Sequence, residues 1–287
     1  SGGLFSSDVS ASDVVLKQVT TGSGTAAISS WQAQSWIATG LLNVDAGGLT
    51  AKSTATVTYL AANPAYGNAA TYTISAANLA AAASGGLFSS DVSASDVVLK
   101  RTTDSSGAQS WQAQSWIATG LLNVDAGGLT AQSTATVTYL AANPAYGNAA
   151  TYTISAANLT AAASGGLFSS DVSASDVVLK RTTDSSGAQS WQAQSWTANG
   201  PLSINAGGIT ASANATVSFL LNNAAYGDTA TYTLSAANLN TTATGGIFSA
   251  DVSGSDVVLK CITDSNGAQS WQAQSWTANG PLSINAG

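Results

Sequence analysis

The chain contains no histidine, no glutamate and no methionine, one cysteine, and only 7% charged residues among its 287. Each absence removes a class of function. Catalysis needs a proton donor or acceptor poised near neutrality, a metal or an activated nucleophile. Without His or Glu the usual triads and zinc sites cannot be assembled, so no catalytic residue is expected and the chain reads as a non-enzyme. A lone Cys261 excludes a disulfide within the chain and reads as a small residue in a strand. Seven Lys and Arg against fourteen Asp, with a net charge of −7, leave no basic patch to displace the counterions of a nucleic acid. No apolar run approaches the ~18–20 residues of a membrane helix, and no signal peptide is visible. Ser, Thr, Asn, Gln and Gly must then make the surface, where little charge repulsion keeps copies apart.

What the chain has is repetition. "SGGLFSSDVSASDVVLK" begins at Ser1, Ser84 and Ser164, and its relative "TGGIFSADVSGSDVVLK" begins at Thr244. The period of roughly 80 residues divides the chain into repeats 1–83, 84–163 and 164–243 and a partial repeat 244–287. Differences between copies separate core from surface. Tyr59 and Tyr139 become Phe219, and Ile74 and Ile154 become Leu234, swaps that keep apolar volume. Asn68 and Asn148 become Asp228, and Lys52 becomes Gln132 and then Ser212, as at exposed positions.

The apolar pattern has period two. "ATVTYLA" from Ala55 alternates Val57, Tyr59 and Ala61 with Thr56, Thr58 and Leu60, and "ATYTISA" places Tyr72 and Ile74 on one face. These runs predict half-buried strands, with turns at "NPAYGN" (Asn63 to Asn68) and "DAGG" (Asp45 to Gly48). Six or seven short strands per repeat predict an all-β fold of tandem sandwiches, with a β-solenoid of about 20-residue coils as the alternative.

Several segments resemble an immunoglobulin-like domain. "STATVTYLAANPAYGNAATYTISA" and "ANATVSFLLNNAAYGDTATYTLSA" look like strands E and F, with Tyr232 at the tyrosine corner. "DVVLKC" from Asp256 to Cys261 looks like strand B, and "AQSWQAQSW" like strand C with its core Trp. The strand F cysteine position holds Ile74, Ile154 or Leu234, so the inter-sheet disulfide of that family is missing. Tandem cystine-free domains of this kind are similar to those of bacterial surface adhesins, stalks and fibres. That resemblance implies an extracellular or cell-surface location, with copies of the chain or surface glycans as partners.

Four groups of residues are candidate sites. Paired Asp recurs as Asp8 and Asp13, Asp91 and Asp96, Asp171 and Asp176, Asp251 and Asp256. Calcium takes six to eight oxygens, so Asp91, Asp96, Asp171 and Asp176 are candidate ligands at repeat junctions and calcium is the one candidate cofactor. The competing expectation is Asp bonding local N–H groups at turns. One Lys follows each "VVL", at Lys17, Lys100, Lys180 and Lys260, where an isopeptide bond to Asn is one reading and an edge Lys another. Trp111 and Trp116 are five positions apart, which puts them on opposite faces of a regular strand unless a bulge intervenes. Trp36, Trp116, Trp196 and Trp276 are therefore expected in the core or at a repeat junction, at a contact between chains, or under a stacked sugar. Tyr66, Tyr146 and Tyr226, in turns, are further sugar-binding candidates. The expected function is an extended structural fibre, stalk or matrix filament, self-assembling through strand addition at the incomplete repeat. The alternative is a multivalent carbohydrate-binding adhesin.

Overall fold

The alternating Thr and apolar runs form the strands they predict, and the turn chemistry between them brings sequence neighbours side by side. A computed structural model describes residues 3–6, 9–46, 49–51, 54–75, 79–80, 87–88, 93–126, 129–131, 134–155, 159–160, 167–168, 173–206, 210–211, 214–235, 239–240, 248–249 and 253–284. Among them there is no α-helix; every long element is a strand. The chain divides into two compact units, Ser1–Leu121 with Thr136–Thr151, and Leu122–Ala135 with Tyr152–Gly287.

In the first unit the long strands are β1 (Ser10–Thr21), β2 (Ile28–Leu41), β4 (Thr54–Asn63), β5 (Ala69–Ser75), β7 (Ser93–Thr103) and β8 (Gln109–Leu121). Each pairs antiparallel with the next. Two-residue strands β3 (Thr50–Ala51) and β6 (Leu79–Ala80) pair with each other, and β6 also pairs with the start of β7. Strand β9 (Thr130–Ala131) lies in the second unit, while β10 (Thr134–Asn143) and β11 (Ala149–Ser155) contribute residues to both. The second unit repeats the scheme with β12 (Leu159–Thr160), β13 (Ser173–Thr183), β14 (Gln189–Pro201), β15 (Thr210–Ala211), β16 (Asn214–Asn223), β17 (Thr229–Ser235), β18 (Leu239–Asn240), β19 (Ser253–Thr263) and β20 (Gln269–Asn279). Its long strands pair in the order β11, β13, β14, β16, β17, β19, β20.

The all-β class is as expected, in an open sheet. The connectivity differs from the immunoglobulin-like one. The segments resembling strands B, C, E and F, here β13, β14, β16 and β17, lie side by side in one ladder instead of being shared between two facing sheets. Short connections favour pairing of consecutive strands. The ladders are antiparallel hairpins, which also separates the fold from a solenoid of parallel coils. Nor do the pairings stop at the repeat boundaries. Tyr72, Thr73 and Ile74 of the first repeat pair with Leu99, Val98 and Val97 of the second. Tyr152–Ile154 and Tyr232–Leu234 do the same across the next two boundaries. Neighbouring repeats therefore share a core that each was expected to build alone.

Inward-facing Trp36, Ala38, Ala55, Val57 and Ile74 are buried, as are Leu4, Leu42, Val44 and Leu49 from the segments that flank the long strands. Phe5 bridges Leu42 and holds its ring 6.5 Å from Trp36, so these flanking segments lie over the inner face. Gly40 is required here because a Cβ at this position would collide with Val9.

Two bulges break the alternation in every hairpin of the β7–β8 type. Opposite Ser95 and Val98 stand Ile117 and Ser115, and opposite Leu99 stands Ala113. Thus β7 carries an extra residue near Asp96, and β8 carries Gln114 as its own extra residue; the two offsets cancel. Asp96 has φ +48°, and Asp13, Asp176 and Asp256 share this left-handed conformation. Asp tolerates it better than most residues, which accounts for the second Asp of each pair. We expect Asp96→Val to cost ~1–2 kcal/mol, while Asp96→Gly and Asp96→Asn leave the urea midpoint unchanged or higher. A Val variant as stable as the parent would show that the backbone does not select this Asp.

The hairpin tips are built the same way. In Asp104–Gly107 the Asp104 carboxylate accepts hydrogen bonds from the Ser106 N–H, the Ser106 hydroxyl and the Ala108 N–H at 2.9, 2.6 and 2.9 Å. These bonds, led by the Ser106 hydroxyl, hold its carboxyl below the usual carboxylate range. The "NPAYGN" turn is a single 3-10 turn, Pro64–Tyr66, capped by the Asn63 side chain and closed by left-handed Gly67 and Asn68.

Candidate functional site

The bulge at Gln114 decides where the tryptophans point. It shifts the alternation so that Trp111, Ala113, Trp116 and Ala118 all face inward. Trp116 and Trp196 are buried and stacked on Tyr139 and Phe219 at 5.4 and 5.5 Å, as Trp36 is on Tyr59 at 5.4 Å. Trp36, Trp116 and Trp196 are thus core residues of their own repeats, the first of the expected placements, and not outward contacts. Trp276 is half-buried, with Phe248 6.1 Å away. The contact between repeats belongs to the other tryptophan of each pair. Trp111, Trp191 and Trp271 meet Tyr72, Tyr152 and Tyr232 of the preceding repeat edge-on, at 4.9, 4.9 and 4.8 Å. Trp31, in β2, has no such tyrosine among the described residues and is 65% exposed.

The remaining candidates are placed as follows. Asp91 and Asp171 lie outside the described residues; Asp96 and Asp176 occupy the bulges, and no cluster of three or more metal-ligating side chains occurs among the described residues. Lys17, Lys100, Lys180 and Lys260 each stand opposite a glutamine, Gln32, Gln112, Gln192 and Gln272, on the face away from the core. Of the turn tyrosines, Tyr66 and Tyr226 direct their hydroxyls to Ser115 and Ser275 of the following repeat, at 2.8 and 3.0 Å. They act as clasps between repeats.

A groove that no local sequence signal announced lies over the aromatic row in the first unit. Its volume is about 450 Å³, and its walls are Gln32, Ala33, Gln34, Trp36, Tyr59, Ala61, Tyr72 and Arg101. Four strands supply them: β2 gives Gln32, Ala33, Gln34 and Trp36, β4 gives Tyr59 and Ala61, β5 gives Tyr72, and β7 of the next repeat gives Arg101. Burial pushes the Tyr72 hydroxyl above its ordinary range, against the opposing pull of Arg101. In the third repeat the corresponding residues are Phe219, Leu221 and Cys261 in place of Tyr59, Ala61 and Arg101. There burial, with the Cys261 thiol adding to it, pushes Tyr232 up to about 12. Burial likewise raises the Cys261 thiol, which makes it a poor nucleophile.

No family model matches the chain, and no curated protein or solved structure matches it either. No helix among the described residues is long and apolar enough to cross a membrane.

Proposed function

We propose that the chain is a structural repeat protein of an extracellular fibre, stalk or matrix filament, with no catalytic role. The observation that carries this reading is the same three-residue register at each repeat boundary, Tyr72–Ile74 on Val97–Leu99, Tyr152–Ile154 on Val177–Leu179 and Tyr232–Leu234 on Val257–Leu259. A ladder of this kind lengthens by adding repeats, because each new repeat meets the surface the last one left. The local resemblance to immunoglobulin-like adhesin repeats points the same way, as does a surface with little charge to oppose association.

Self-assembly by strand addition belongs to this reading. Backbone pairing across each repeat boundary is the contact that a strand from another polypeptide would reproduce. Negative-stain electron microscopy across a concentration series tests the proposal. Filaments many times the length of one chain are expected, and separate short particles at every concentration would overturn it. Sugar binding is a second reading, favoured by the groove at Arg101.

A further inference from the structure

We propose that the groove at Arg101 binds an acidic sugar, a uronate residue of a polysaccharide. The inference rests on the sugar-binding reading and is independent of filament formation.

The chain has two arginines, Arg101 and Arg181, and both occupy the same position of the repeat, opposite an inward tryptophan, Trp111 or Trp191. Arg101 is half-buried and lines the groove, and no residue among the described ones hydrogen-bonds or ion-pairs with its guanidinium. A partly desolvated cation without a counter-ion is costly, and a planar guanidinium offers the fork that matches a carboxylate. Tyr72 is 7% exposed and lines the same groove, and its hydroxyl also has no hydrogen-bond partner among the described residues. Tyr59 is in the same condition, and Gln32 and Gln34 complete the lining. The aromatic walls suit the C–H face of a pyranose, the phenols and amides suit its hydroxyls, and Arg101 suits a ring carboxylate. The volume falls within the ~300–1,000 Å³ of small-molecule sites.

The third repeat provides a contrast inside the same chain. Its replacements Phe219, Leu221 and Cys261 remove a phenol and the cation and add bulk where Ala61 leaves space. Ala61→Leu copies one of these changes without touching charge.

The test is titration calorimetry of the whole chain with trigalacturonate, its neutral methyl ester and sodium acetate. Trigalacturonate is expected to bind, with the methyl ester and acetate each at least ~10-fold weaker. Arg101→Gln should weaken trigalacturonate at this groove by ~10-fold or more, and Ala61→Leu should abolish binding there. Circular dichroism melts should match the parent in all variants. Equal binding of ester and acid would overturn the inference and leave the sugar-binding reading standing. Binding of acetate as tight as that of trigalacturonate would reduce the site to a bare anion site. Unchanged affinity in the Arg101→Gln variant, or no heat up to about 10 mM of any sugar, would also overturn it, the latter together with the sugar-binding reading.

Discussion

Trp116→Ala is expected to lower stability by ~3–5 kcal/mol, read from the urea-unfolding midpoint. The indole is 3% exposed, stacked on Tyr139 at 5.4 Å, with the Phe88 ring at 6.3 Å. Truncation removes its transfer free energy and leaves a cavity that β-strands, held by their ladders, cannot close. Trp116→Phe keeps a ring in the stack and should cost much less. Trp31→Ala removes the same side chain from an exposed position and should change stability by no more than about 0.5 kcal/mol. A loss at Trp116 below about 1 kcal/mol would mean that the stack is not a core.

Residues 84–163, expressed alone, are expected not to fold as a monomer, although they make up one whole sequence repeat. In the full chain Val97, Val98 and Leu99 are 0, 7 and 0% exposed beneath β5. The same residues in β1, Val14, Val15 and Leu16, have no strand on that side among the described residues and are 49, 52 and 53% exposed. Excision would expose one such triplet on β7 and uncover Tyr152 and Ile154 on β11. At ~1.5–3 kcal/mol per fully buried apolar side chain, half-exposure of these residues is a loss of roughly 4–7 kcal/mol. That is comparable to the whole net stability of a small domain, ~5–15 kcal/mol. Far-ultraviolet circular dichroism should show a disordered chain, or sedimentation should show association. A cooperative monomeric melt close to that of the full chain would refute the shared core.

Much of the strand content was legible. Alternation in "ATVTYLA" and "ATYTIS" located β4 and β5, and volume-conserving swaps such as Tyr59 to Phe219 marked inward positions. The bulges were legible too, in a pattern easily passed over. In β8 the inward residues Trp111, Ala113, Trp116 and Ala118 step by two, three and two, and the step of three is the extra residue. The interchange of Asn68 and Asp228 reads as surface variation, yet both have φ near +60°, where those two residue types are the ones tolerated.

The amino-acid sequence by itself determined the β class, the repeat, the turns and the exclusion of His- and Glu-based chemistry, because these follow from local periodicity, backbone preference and composition. The tertiary structure alone decided which strand lies beside which. Identical faces can be paired within a repeat or across a boundary, and local sequence does not distinguish the two. Only when β5 and β7 come together do Tyr72, Trp111 and Arg101, far apart along the chain, become neighbours. The contact between repeats and the groove both depend on that pairing, because side chains on separate strands meet only where a ladder sets their register.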